Sequence, residues 1–206
     1  MWDFVRFLQV ERWAAKVVNI WIDLRDKRIN RFIDPMIKFE QIYSFDQRAD
    51  EIWESVSPHF EVLVRRDSQF LNWKFVDQPH MSYQKFFALR DGTPIGYIVL
   101  RVAAPPESNS GIIADMFISP DDDKGIRSML TFAVLYFKQH KIRYIQGASS
   151  VDAYQKGFAS LGFKKVKELV PLFHDGMEPM NEDAPKRQTG WFLGRSDHDW
   201  DQYPYG

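Results

Sequence analysis

Residues 85–103 read KFFALRDGTPIGYIVLRVA and carry the clearest secondary-structure signal of the chain. Two runs rich in β-branched and aromatic residues, which favour extended backbone, flank the dipeptide Asp91-Gly92. That dipeptide is typical of a tight turn between antiparallel strands, so we predict a β-hairpin here. Residues 112–118 form another apolar run, IIADMFI, and we expect them to add a third strand beside the hairpin.

The segments on both sides of the hairpin alternate between helical and strand patterns. The predicted helices cover residues 46–56, 68–75, 125–140 and 151–161. The remaining predicted strands cover residues 38–43, 143–148, 163–169 and 191–194. Asp46 is a typical helix N-cap, and Gly162 is a typical helix stop. This order predicts an α+β fold with a mixed central sheet flanked by helices.

An apolar stripe marks residues 1–33 as one long amphipathic helix. Its members are Trp2, Val5, Leu8, Trp13, Val17, Ile20, Trp21 and Leu24. Charged residues interrupt the stripe, so we predict neither a signal peptide nor a membrane span. We expect a helical extension over residues 1–36 that packs on the domain over residues 37–206 or forms a homodimer with a second copy. A membrane-surface role is the weaker alternative, because the charges are mixed rather than basic.

The composition excludes several classes of site. The chain has 206 residues, 45% of them hydrophobic, so it can bury a substantial core. It has no cysteine, which excludes disulfides and thiolate chemistry and is typical of a cytoplasmic protein. The net charge of −1 does not indicate a nucleic-acid partner.

The polar C-terminal tail carries side chains that could bind a metal ion. These are Asp197, His198, Asp199 and Asp201. Carboxylate and imidazole groups can share a divalent ion, but the spacing matches no specific metal-binding loop. We therefore predict no metal, and we expect the tail to be solvated.

The predicted order of elements resembles the GNAT acetyltransferase fold over about residues 37–195. The stretches that carry the resemblance are residues 65–75, 78–83, 87–102, 113–133, 154–166 and 191–201. Within them, Arg66-Asp67, Leu71-Asn72-Trp73, Pro79 and Tyr83 are similar to a pattern in a subgroup of bacterial GNAT-like proteins, with Lys74 in place of an arginine. The resemblance implies the transfer of an acyl group from acetyl-CoA to a small amine, such as an amino sugar.

Residues 119–130, SPDDDKGIRSML, lie where GNAT proteins hold the CoA pyrophosphate on backbone N–H groups at a helix start. Of three diagnostic positions in the family loop, only Gly125 is kept, while Asp122 and Arg127 replace the others. Aspartates at this place would repel a phosphate, but they are also typical helix caps, so both interpretations stay open. The resemblance implies the cofactor-binding residues Phe117, Ile118, Lys124, Gly125, Ile126, Arg127 and Ser128.

Two residues are candidates for proton transfer. Asp115 lies within an apolar strand, and GNAT proteins often use an acidic residue on this strand as a base, directly or through water. Its alternative role is a salt bridge or cap contact on the sheet face. The proton-donating tyrosine of the family is replaced by Phe158, and Tyr154 lies one helical turn earlier on roughly the same face. Tyr154 is therefore the candidate acid, with a buried aromatic as the alternative.

A polar and aromatic cluster precedes the hairpin. The resemblance implies that this region lines the groove for the acceptor, with Arg66, Trp73, Lys74 and Tyr83 as the substrate-binding residues. The alternative is structural: Arg66 and Asp67 tie two helices together, and Trp73 belongs to the core.

Three functions remain open from the sequence. The first is a GNAT-type N-acyltransferase that uses acetyl-CoA and a small-molecule amine. The second is a catalytically degenerate GNAT-like domain that acts in protein binding or self-association, which the altered loop favours. The third, a transferase with an aminoacyl-tRNA donor, would account for the altered loop but lacks an evident basic surface.

Overall fold

The computed structural model describes residues 32–102, 110–165 and 190–197. The helix predicted over residues 1–33, and with it the proposed extension and dimer contact, lies almost wholly outside these ranges. So do residues 166–169 and the tail beyond residue 197. Residues 163–165 of the strand predicted over residues 163–169 are described, and they are not in a strand, so the prediction is wrong for that part.

Seven strands and four α-helices make up the described chain. The strands are β1 (Ile37–Ile42), β2 (Val62–Leu63), β3 (Tyr83–Arg90), β4 (Thr93–Val102), β5 (Ser110–Ile118), β6 (Tyr144–Gln146) and β7 (Trp191–Phe192). The helices are α1 (Gln47–Val56), α2 (Ser68–Phe75), α3 (Asp123–Gln139) and α4 (Asp152–Ser160). The four helices predicted within the described ranges are present within a few residues, and Asp46 caps α1 as expected.

The main sheet has five strands in the order β1-β3-β4-β5-β6. The first four are antiparallel, and the β3–β4 hairpin turns at Asp91 and Gly92, which both have positive φ, as the sequence predicts. Strand β6 pairs with β5 in parallel, because helix α3 carries the chain back across the sheet. The prediction of an α+β fold with a mixed central sheet is thus confirmed.

Helices cover both faces of the sheet and enclose one core. All residues of β5 are buried, which is the pattern of a strand covered on both sides. Helix α3 packs closely on it: a Cβ at Gly111 would lie 2.4 Å from the ring of Phe137. Among the helices of the described ranges, none is long and apolar enough to cross a membrane.

A second, two-stranded sheet was not predicted. Strand β7 pairs in parallel with β2, with Val62 opposite Trp191 and Leu63 opposite Phe192. Only two residues of the strand predicted over residues 191–194 are in this ladder, and Gly194 instead forms an antiparallel bridge with Ser149. This arrangement places residues 190–197 against β5 and the segment that follows β6.

Candidate functional site

Strands β5 and β6 separate and leave a narrow crevice between them. They pair from Ser110–Tyr144 to Ile112–Gln146, after which β5 continues to Ile118 beside β4 but without β6. The cavity in the crevice has a volume of about 10 Å³, which is room for about one water molecule. Its lining includes Asp115, Ser149, Tyr154, Phe158 and Arg195. The two residues predicted to transfer protons, Asp115 and Tyr154, therefore line the same cavity.

Asp115 has one carboxylate oxygen bound and the other without a partner. Its Oδ2 accepts hydrogen bonds from the hydroxyl of Tyr97, at 2.8 Å, and from Nε of Arg66, at 3.2 Å. Its Oδ1 is buried and has no hydrogen-bond partner within the described part of the chain. Because nearly all buried polar atoms are hydrogen-bonded, an unpaired carboxylate oxygen marks a place for a water or a reacting group.

Arg66 connects Asp115 to the C-terminal segment. Its side chain is 0% exposed, and its Nη2 donates to both carboxylate oxygens of Asp197, at 2.8 and 2.7 Å. Nη1 donates to the carbonyl of Val64, and the guanidinium lies 4.3 Å from the centre of the Phe192 ring. Burial alone would lower the pKa of Arg66, but the carboxylates of Asp115 and Asp197 outweigh it and hold the pKa above its ordinary value.

Asp197 is buried, so the prediction that it belongs to a solvated tail is wrong. Its side chain is 4% exposed, and its Oδ2 also accepts the N–H of Gly194 at 2.7 Å. The buried guanidinium of Arg66, which is 131 residues away in the sequence, attracts the carboxylate into the interior. The other three residues of the supposed tail site lie outside the described ranges, within which no group of three possible metal ligands occurs.

Tyr154 is buried at the far end of β5. Its hydroxyl accepts the N–H of Ile118 at 2.9 Å and donates to the carbonyl of the same residue. Burial raises the pKa of Tyr154, so its proton is harder to remove than that of an exposed tyrosine. The position fits the alternative of a buried aromatic, and the role of proton donor stays a prediction.

We expect Tyr154→Phe to lower the free energy of unfolding by about 1–3 kcal/mol, because it leaves a buried N–H and a buried carbonyl of Ile118 without partners. Urea denaturation measures the change. Tyr144→Phe is the matched control, since Tyr144 is 59% exposed and its substitution should change stability by less than about 0.5 kcal/mol. Equal effects of the two substitutions would contradict the assignment of these hydrogen bonds.

The loop before α3 is occupied by its own aspartate. Asp122 is the N-cap, and its Oδ1 accepts the N–H of Gly125 at 2.9 Å. The carboxylate also forms an ion pair with Arg90, at 2.9 Å. A Cβ at Gly125 would lie 2.5 Å from Oδ2 of Asp122 and 2.5 Å from Cδ1 of Ile118, so packing alone accounts for this glycine. A phosphate here would have to displace the Asp122 carboxylate.

The other predicted cofactor-binding residues divide into buried and exposed positions. The buried ones are Phe117, Ile126 and Ser128. The Ser128 hydroxyl donates to the carbonyl of Lys124 and accepts the N–H of Asp34. Lys124 is exposed, and Arg127 donates to a carbonyl of its own helix. Among the predicted cofactor-binding residues, Lys124 is therefore the one that is exposed.

The predicted acceptor-binding residues do not share one surface. Arg66 is enclosed, and Lys74 and Tyr83 are buried, whereas Trp73 is 56% exposed on the outer face of α2. The alternative that Trp73 belongs to the core is therefore wrong. Asp67 caps α2 by accepting the N–H of Phe70, so the pair Arg66-Asp67 serves two separate structural roles.

No protein-family model matches the chain, and a comparison with curated proteins found no match. Similar solved structures include an aminoglycoside acetyltransferase from an uncultured soil metagenomic sample, in complex with trehalose. It is 17% identical, with 70% of this chain and 99% of that chain covered and a TM-score of 0.46. The ribosomal-protein-S18-alanine N-acetyltransferase from Escherichia coli is 13% identical, with 64% and 80% covered and a TM-score of 0.45.

A predicted acetyltransferase with acetyl-CoA from Clostridium acetobutylicum is 17% identical, with 67% of this chain and 96% of that chain covered and a TM-score of 0.45. At these identities and TM-scores, neither an activity nor a substrate transfers to the present chain. Its function has to be argued from its own residues.

Proposed function

We propose that the chain is a GNAT-type N-acyltransferase, which moves an acyl group from an acyl thioester to a small amine. The observation that carries this proposal is the unpaired Oδ1 of Asp115 in the crevice where the parallel strands β5 and β6 separate. A carboxylate with one oxygen anchored and the other free is suited to accept a proton from a neighbouring group.

The chemistry needs a base, a positioned carbonyl and a proton for the leaving group. In the proposal, the amine nitrogen attacks the thioester carbon and gives a proton to Asp115 Oδ1, directly or through the one water that the cavity can hold. The C–S bond then breaks and the thiolate takes up a proton, for which Tyr154 remains the candidate donor. The products are an amide and a free thiol.

Acetyl-CoA is the proposed donor, and its arm would lie between β5 and β6. The cavity is too small for the arm as it stands, so side chains in the crevice must move. Phe158 is one of them, because it lines the cavity and its ring packs closely on Gly147 of the segment after β6. The small amine acceptor, the homodimer through the N-terminal helix and the cytoplasmic location stay predictions.

A second candidate function is a catalytically degenerate GNAT-like domain that acts in protein binding or self-association. The observation that favours it is the Asp122 carboxylate, which already occupies the N–H of Gly125 and pairs with Arg90. A negative charge there opposes the binding of a pyrophosphate. The two candidates therefore make opposite predictions about the binding of acetyl-CoA.

Titration calorimetry with acetyl-CoA on the full chain separates the two candidates. We expect the wild type to bind at millimolar acetyl-CoA, and Asp122→Gln to bind more tightly, because it removes the opposing charge and its side chain, longer by one methylene group, can leave the N–H of Gly125 free. Asp77→Asn is the control, since Asp77 is an exposed carboxylate after α2. Release of free thiol in the presence of a panel of amino sugars and other small amines then tests transfer.

Absence of binding heat for the wild type and for Asp122→Gln, with other acyl-CoAs also silent, would reject the acyltransferase. The degenerate domain would then be the better account. It predicts that removal of residues 1–33 changes the oligomer that light scattering detects.

A further inference from the structure

The cluster around Arg66 holds one more carboxylate than the proposed chemistry uses. One buried guanidinium lies between the carboxylates of Asp115 and Asp197, which reach it from β5 and from the C-terminal segment. The hydroxyl of Tyr97 completes the cluster through Asp115 Oδ2. A Cβ at Gly194 would lie 3.4 Å from Oδ1 of Asp115 and 3.7 Å from Oδ2 of Asp197, so the two carboxylates are close together, but both oxygens of Asp197 are already bonded to Arg66.

We propose that Asp197 is a positioning residue, which acts through Arg66 to keep Oδ1 of Asp115 unpaired and turned to the crevice. This inference rests on the proposed acyltransferase function, because it assigns the group that keeps the base of that reaction available.

Arg66 bonds only one of the two oxygens of Asp115. Arginine and carboxylate groups prefer to pair with two parallel hydrogen bonds, which would engage both oxygens of Asp115. In this chain Asp197 takes the Nη2 group with both of its oxygens, at 2.8 and 2.7 Å. Nη1 donates to the carbonyl of Val64, and Nε is the group that reaches Asp115, where it meets Oδ2 at the longer distance of 3.2 Å. Asp197 therefore competes for the guanidinium and leaves one oxygen of Asp115 without a donor.

The position of Asp197 is itself well defined. Its Oδ2 accepts the N–H of Gly194 within the short 3₁₀ turn Arg195–Asp197. Gly194 forms the bridge to Ser149, and the N–H of Ser150 donates to the carbonyl of Leu193 at 2.9 Å. The segment is thus attached to the residues that follow β6, and this attachment fixes the position from which the Asp197 carboxylate binds Arg66.

The electrostatics agree with this assignment. Burial raises the pKa of Asp197, and Asp115 raises it further, while Arg66 and the N–H of Gly194 oppose the change. Within the described part of the chain, the other charged groups near Asp197 are Arg195, on its own turn, and Arg66 and Asp115, on the elements packed against it. Two carboxylates thus compete for one buried cation.

The first test is kinetic and uses Asp197→Asn, which has the same size but no charge. We expect kcat for thiol release from acetyl-CoA to fall by about 10–100-fold, as is usual when a partner behind a reacting group is lost. The KM for acetyl-CoA should change by less than about twofold, because both Asp197 oxygens are bonded to Arg66 and are not available to bind the donor. Asp197→Glu, which keeps the charge, should recover part of kcat, and Asp77→Asn should match the wild type.

The second test does not depend on activity. Crystal structures of the wild type and Asp197→Asn should differ at Asp115: in the variant, both Asp115 oxygens should bind Arg66, and Oδ1 should leave the crevice. If Asp197→Asn does not fold, Asp197→Ser replaces it, since its hydroxyl can still accept the N–H of Gly194. Tyr97 should keep its bond to Asp115 in both structures.

The outcomes separate this inference from the proposed function. An Asp115 carboxylate that keeps Oδ1 unpaired in the variant overturns the positioning role, whatever the activity. An active wild type whose kcat is unchanged by Asp197→Asn also overturns it. A wild type that is inactive with all thioesters and amines rejects the proposed function, and the reorientation of Asp115 then decides the structural part alone.

Discussion

Arg66→Met is expected to lower the free energy of unfolding by about 3–5 kcal/mol, because it leaves two buried carboxylates without their cation. Arg66 is 0% exposed and bonds to Asp115, Asp197 and the carbonyl of Val64. Methionine fills a similar volume, so the loss reports the missing charge and hydrogen bonds more than a cavity. Guanidinium or urea denaturation at neutral pH measures the change.

Arg65→Met is the matched control for this prediction. Arg65 is the preceding residue, its side chain is 71% exposed, and it forms an ion pair with Asp67, whose side chain is 9% exposed. Solvent can replace an exposed Arg65, and Asp67 keeps its bond to the N–H of Phe70, so the control should lose about 0–1 kcal/mol and remain close to the wild type. Losses of similar size in the two variants would contradict the buried network.

The effect of Arg66→Met should also depend on pH. A carboxyl group whose pKa is raised in the folded protein stabilises the fold at low pH, and this contribution is lost as the pH rises through the raised pKa. Burial already raises the pKa of Asp197, and the removal of Arg66 takes away the group that opposes this rise. The variant should therefore regain part of its stability, relative to the wild type, as the pH falls from 7 toward 4. A difference that does not change with pH would contradict this account.

Asp115→Asn is expected to lower kcat for acetyl transfer by about 10²–10⁴-fold, the usual contribution of a general base. Asparagine keeps the size of the side chain, and its amide oxygen can still accept the hydrogen bonds of Arg66 and Tyr97. Its amide group cannot take a proton from the amine. Thiol release from acetyl-CoA, with the best amine found in the panel, measures the change.

The same variant needs a check on folding, because Asp115 is buried. Thermal unfolding should show that Asp115→Asn is folded under the assay conditions, and Asp77→Asn should have wild-type kinetics. A folded Asp115→Asn protein with wild-type kcat would remove Asp115 from the mechanism. A change in KM alone would make Asp115 a binding residue rather than a base.

Local signals in the sequence were sufficient for most of the secondary structure. The helix predicted over residues 68–75 is present with the same bounds, and Asp46 caps α1. The turn at Asp91-Gly92 has φ values of 51° and 83°, which is the backbone that such a dipeptide favours. Turns, caps and hydrophobic periods depend on residues a few positions apart, so they can be read from the chain itself.

The candidate site could be predicted only in part. A charged residue in an apolar strand needs hydrogen-bond partners, and this predicts a special role for Asp115. In the structure, its Oδ2 accepts the hydroxyl of Tyr97, and its buried Oδ1 has no partner within the described residues. Asp122 was recognised as a possible cap, and it is the N-cap of α3. By contrast, Asp197 was assigned to a solvated tail, since nothing near it in the sequence indicates burial. The size and charge of an aspartate do not reveal a partner that lies 131 residues away.

The four helices of the described ranges, the hairpin and the order that makes an α+β sheet can be predicted from the sequence, because these follow from short-range backbone preferences and the burial of apolar faces. Which polar side chains meet can be read only from the folded chain. Arg66 lies 49 residues from Asp115 and 131 residues from Asp197, and their contact depends on the pairing of β2 with β7 and on the separation of β5 from β6. Buried charges require a partner but do not specify its place in the chain, so packing alone brings these three residues together.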